Sequence, residues 1–157
     1  MVDVTEISAI VAAAGVLVGV VIAVLELRNL VNQRQADMVM RLYATFGSAE
    51  FQKAYQKVAS LEFEDFADYI KKYAADIEVT TGMYSTTVLF EGIGVLAKRK
   101  LINMDLVDDL FSSPISRTWE RVAPIMKGYR ELWKSPSICE QFEDLYNEMK
   151  KREQQLA

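Results

Sequence analysis

Two carboxylates stand where the surrounding residues offer little reason for charge. Glu91 is the only residue charged at neutral pH between Glu78 and Lys98. Glu26 closes an uncharged run that starts at Ile7. A lone carboxylate can act as a base, a metal ligand or an ion relay, but each role needs company. The chain has no His, which removes imidazole acid–base chemistry, Ser-His triads and most zinc and iron sites. Its one Cys, Cys139, excludes an internal disulfide and a cysteine metal cluster. Phosphate-cradling glycine loops, paired metal-binding residues and nucleophile elbows are missing as well. No catalytic residue, cofactor or metal is therefore expected, and the chain is not expected to be an enzyme. Glu91 reads instead as a buried carboxylate tied to an arginine of the segment bearing Trp119. Arg117, Arg121 and Arg130 are the choices, or Trp119 through its indole N–H; Arg130 is favoured, so that Glu91, Arg130 and Trp119 form one structural nucleus.

The elements that must hold these residues begin with the run from Ile7 to Leu25. Nineteen residues at ~1.5 Å each are about enough to cross a bilayer core of ~30 Å. Lipid offers no partner to backbone groups, so the run is expected to be helical throughout. Asp3 and Glu6 precede it, while Arg28, Arg34 and Arg41 follow it. That order speaks against a cleaved signal peptide. By the positive-inside rule it puts the N-terminus outside and the rest in the cytoplasm, on a single-pass protein of the cell membrane. The net charge of −4 gives no field for nucleic acid. Membrane lipid and other copies or subunits are the expected partners.

Apolar residues continue past the span at helical spacing, predicting one rod from Val4 to Phe46, with Gly47 as its stop and Ser48 as the next start. Further helices are expected over Ser48–Ala59, Leu61–Ile77, Thr80–Lys98 and Asn103–Phe111. Ser113-Pro114 and Ser135-Pro136 each look like a helix start. Thr80–Lys98 has strand-leaning residues, but its second half lacks a strand partner elsewhere. The fold class is all-α: one transmembrane helix (residues 1–27 with a short outer tail) continues as a helical stalk (28–46), which could wind as a coiled coil. A cytoplasmic domain (47–157) adds about five further helices. Trp119, Tyr129, Trp133 and Tyr146 are expected in its core.

Small residues line part of the span, and Gly15 and Gly19 make a GxxxG, the spacing that lets two membrane helices approach closely. With Ala23 and the stalk positions Leu27, Val31, Met38 and Leu42 they form the expected interface of a homo-oligomer. Two other readings use the same face. In one, an oligomeric pore has Glu26 at its inner mouth. In the other, the span packs on further subunits of a larger membrane complex. Lys98-Arg99-Lys100, the one basic cluster, reads as a solvated helix end, the alternative being a phosphate or lipid-headgroup site.

The block Phe90-Glu91-Gly92-Ile93-Gly94-Val95-Leu96-Ala97-Lys98-Arg99-Lys100-Leu101-Ile102, then Trp119-Glu120, Pro124, Arg130 and Phe142-Glu143-Asp144-Leu145-Tyr146, resembles an uncharacterised family of short bacterial and archaeal proteins. Its members carry one N-terminal membrane helix and a helical cytoplasmic domain. The resemblance covers most of residues 20–150. It implies that topology and supports a shared nucleus of Glu91, Trp119 and Arg130, but it implies no reaction.

Overall fold

A computed structural model describes residues 3–156. Met1 and Val2, part of the expected outer tail, lie outside the described residues, as do Ala157 and the side chains of Val4, Glu6 and Leu156. The described residues form six helices and no strand: α1 (Val4–Phe46), α2 (Ala49–Ala59), α3 (Phe66–Tyr73), α4 (Ile77–Lys98), α5 (Met104–Leu132) and α6 (Glu140–Leu156). The all-α expectation holds.

α1 runs 43 residues without a break, about 65 Å. Asp3 caps it by accepting from the Thr5 N–H, and Gly47 ends it. Ser48 then caps α2 through the Phe51 N–H at 3.2 Å. α1 is long and apolar enough to cross a membrane, and none of its most apolar window is buried. Every side chain from Ile7 to Arg34 is exposed. Below that point the helix enters the bundle. Val39 is fully buried, and Met38, Leu42 and Phe46 pack partly buried on the same core. The Phe46 ring lies 5.4–6.2 Å from those of Phe51, Tyr55, Phe90 and Phe111. The stalk is thus not free-standing to residue 46. The stretch of stalk exposed on every side is residues 28–34, about two turns; beyond it the domain covers one side of the helix, while Asp37, Met40, Arg41 and Tyr43 stay exposed on the other.

α4 is the central helix, packed between α2 and α6. Asp76 caps it by accepting from Glu78 and Val79 N–H groups at 2.9 and 3.1 Å. Thr80 and Thr87 turn their hydroxyls back onto the helix, Thr80 donating to the Asp76 carbonyl at 3.0 Å and Thr87 to the Met83 carbonyl at 2.8 Å. Burial on two sides overrides the strand-leaning composition.

Three sequence expectations fail at helix ends. The segment expected as one helix over Leu61–Ile77 folds only over Phe66–Tyr73, because Asp65 and Asp76 start new helices as caps. Ser113-Pro114 starts nothing. α5 runs straight through Pro114 and Pro124, since Asn103 has already capped it and its buried stripe Val107, Phe111, Ile115, Trp119, Val122 and Met126 is uninterrupted. Splitting that stripe would open the core, which outweighs the ~3 kcal/mol an internal proline costs. α6 starts at Glu140 rather than at Pro136, after a turn in which Lys134 and Cys139 take φ of 50° and 53°.

Candidate functional site

Glu91 sits on α4, half-buried, three residues before Gly94. A Cβ at Gly94 would strike the Gln141 carbonyl, so this glycine lets the start of α6 lie against α4. The start of α6 needs an acceptor. Cys139 stands at the cap position, its carbonyl taking the Glu143 N–H at 3.1 Å, but a thiol is a weak acceptor. Glu91 fills the gap. Its two oxygens accept from the N–H groups of Phe142 at 2.7 Å and Gln141 at 3.3 Å. A negative group at a helix N-terminus also meets the positive end of the helix dipole. Glu91 is thus an N-cap borrowed from another helix.

This corrects the expected Glu91–Arg130 pair. The Arg130 guanidinium turns to the chain after α5. It donates to the Ile138 carbonyl and the Glu143 carboxylate at 2.8 and 2.6 Å, and lies 5.9 Å from the Trp119 ring centre. Trp119 itself is buried as expected, against Phe142. The three residues share one neighbourhood, the seat of α6, but through different partners. Gly92, two residues earlier, faces open space instead.

Glu91 also closes one end of a cleft of about 340 Å³, within the size range of ligand pockets. Tyr84 and Val88 line it from α4, Met126, Tyr129 and Trp133 from α5, and Cys139 from the turn. The Tyr129 and Trp133 rings stack at 4.6 Å. Trp133 was expected in the core, but α5 ends beside it and leaves it 62 % exposed. Tyr84 and Val88 are exposed too, so the mouth is apolar and aromatic. Burial, then the Glu91 charge, pushes the Cys139 thiol up to about 11, which leaves it a poor nucleophile at neutral pH. A larger cleft of about 600 Å³ between α2 and α5 is lined by charges of both signs, with Arg121 already donating to the Leu61 carbonyl. Among the described residues no three His, Cys, Asp or Glu side chains gather as metal ligands.

The expected oligomer face divides. Gly15, Gly19, Ala23, Leu27 and Val31 are exposed, with open space where a Cβ would stand on either glycine. Met38 and Leu42 are covered by the chain's own core. Twenty residues separate Gly15 from Gln35 and Gly19 from Val39, and twenty steps of about 100° leave roughly half a turn. The glycines therefore point away from the side of α1 that carries the domain. Glu26, seven residues past Gly19, shares their side and is exposed.

The molecule is a small helical domain built directly onto a long, uncovered apolar helix, with a borrowed helix cap beside an apolar cleft. The chain belongs to the family described as Domain of unknown function (DUF4760), whose model matches residues 10–149. No curated protein and no solved structure matches it.

Proposed function

We propose that this protein is a single-pass membrane-anchored contact protein that pairs with itself through its span. One observation carries the reading: the apolar helix from Ile7 to Arg34 has no cover from its own domain. An uncovered helix of that length suits lipid better than water. Charge order favours a cytoplasmic domain, with Arg28, Arg34 and Arg41 on the domain side of the span. Pairing is supported by the open faces of Gly15 and Gly19 and by their position opposite the domain, which lets two spans meet without the domains colliding. The apolar cleft beside Glu91 suits an apolar side chain of a protein partner. A non-catalytic role fits Glu91, whose two oxygens are occupied by α6, and a thiol held protonated.

The test is the mass of the full chain in mild detergent, corrected for bound detergent. Twice the chain mass is expected, falling to one chain when Gly15 and Gly19 are both replaced by Ile. A monomeric parent, or a dimer unmoved by the double replacement, overturns pairing through this face. A ring of about five or more copies would point to the pore instead.

A further inference from the structure

We infer that the turn between α4 and α5, Lys98–Leu101, docks on the anionic headgroups of the membrane that α1 crosses. The inference rests on the reading of α1 as the anchor. The Gln35 side-chain amide donates to the Lys100 carbonyl at 3.2 Å, which fixes the turn beside α1 just where the helix enters the domain. Ten residues, about 15 Å of helix, separate Leu25 from Gln35. The headgroup layer fills the first ~5–8 Å of that distance, and long Lys and Arg side chains can span most of the rest. A helix tilt of about 20° toward the domain would bring the turn closer still.

The turn is preformed. Lys100 takes a φ of 56°, the Lys100 N–H donates to the Ala97 carbonyl, and the Leu101 N–H donates to the Leu96 carbonyl, both at 2.9 Å. Lys98, Arg99 and Lys100 are all exposed, and Leu101 is 47 % exposed at the tip. Arg28 lies on the same side of α1 as Gln35, two turns nearer the span, and adds a fourth cation. The nearby acids are engaged elsewhere or only loosely. Asp105 and Asp108 pair with Arg152 at 2.8 and 3.8 Å, and Asp144 lies 3.8 Å from Lys98 with both side chains largely exposed. Asp37 of α1 is exposed two residues further into the domain, about half a turn around the helix from Gln35. Among the described residues no carboxylate pairs with Arg99 or Lys100. In a chain of net charge −4, this cationic edge lies beside α1 at the level of Gln35, on the span side of the buried Val39. Juxtamembrane clusters of this kind attract anionic lipid.

The full chain with Cys139→Ser would be reconstituted in nanodiscs of phosphatidylcholine, with or without about 30% phosphatidylglycerol. A fluorophore on Leu101→Cys reads contact with nitroxide-labelled headgroups. At least about twofold stronger quenching is expected in the anionic discs, lost at about 0.5 M salt and lost in the Lys98→Gln, Arg99→Gln, Lys100→Asn variant. A label on Ser60→Cys, near the start of α4 and some 30 Å of helix from the turn, should not respond. Equal quenching in both discs, or a lipid dependence that survives salt and the triple variant, overturns the inference. A label on Leu17→Cys with acyl-chain nitroxides separates the two readings. An unquenched Leu17 label would remove the anchor itself. A quenched Leu17 label with an unresponsive Leu101 label would remove only the docking.

Discussion

The two halves of α1 have the same backbone and opposite surroundings. From Ile7 to Arg34 every side chain is exposed, whereas Val39, twelve residues on from Leu27, is fully buried. The upper half is by far the more apolar, with no charge from Ile7 to Leu25, yet only the lower half has a buried residue. What differs is whether the rest of the chain supplies a cover. The same contrast recurs within three residues of α4, where Gly94 is filled by Gln141 and Gly92 faces nothing. An apolar or small residue thus marks a contact only when its counterpart is known. On α4 the counterpart is α6. On the upper half of α1 the described residues supply none, and the reading proposed above assigns it to lipid and a second copy.

The sharpest way to break the comparison is to put a charge on each half. Val39→Asp buries an unpaired carboxylate and should destabilise the domain by roughly 3–5 kcal/mol, read as a large drop in the denaturant midpoint of the full chain in detergent. Val20→Asp should leave that midpoint unchanged and impair membrane insertion instead. Equal effects of the two on domain unfolding would erase the distinction. Gly94→Ala should cost about 1–3 kcal/mol, because the added methyl meets backbone rather than a side chain that can move. Glu91→Ala should cost about 0.5–2 kcal/mol, the range for losing a cap, and hydrogen exchange should accelerate at Gln141 and Phe142 before it does so elsewhere in α6. A double-mutant cycle should show coupling between Arg130 and Glu143, with less between Arg130 and Glu91. Gly92→Ala should act with the opposite sign to Gly94→Ala and stabilise by about 0.5–1 kcal/mol, since a glycine inside a helix with open space beside it gains from a methyl. Cys139 gives the smallest effect. With its thiol pushed up to about 11, it should react with iodoacetamide at pH 8 on the order of a hundredfold more slowly than a peptide thiol, unless the fold opens. A thiol pKa raised by folding favours the folded state fully below about 8.5. That contribution fades as pH climbs toward 11, and Cys139→Ala should remove it.

The sequence was most legible where local chemistry decides. The rod from Val4 to Phe46 follows from its apolar spacing, and the stop at Gly47 and start at Ser48 follow from capping chemistry. The α4 helix was readable despite its threonines because nothing could pair with it as a strand. Errors arose where a local signal met a tertiary one. Ser113-Pro114 has the chemistry of a helix start, but the buried stripe on both sides of it keeps α5 whole. Ile138-Cys139-Glu140 has no residue able to cap α6, and that lack was the available sign that a cap must come from elsewhere. The eventual partner of Glu91 was out of reach, because a backbone N–H leaves no mark in a sequence and Arg130 does. Leu27, Val31, Met38 and Leu42 formed one stripe on paper. Its lower half is covered because the domain folds back onto its own stalk.

The direct docking of α1 into the bundle also bears on how deep the span can sit. Between Leu25 and Gln35 the helix has no glycine, no proline and no loop to take up slack. If α1 slid two turns into the bilayer, Val39 would have to leave the core and the Gln35 bond to Lys100 would break. If it slid the other way, the uncharged run would enter water. With α1 as the anchor proposed above, the folded domain would work as a collar on the shaft, and the depth of insertion would become a property of the fold rather than of the lipid alone.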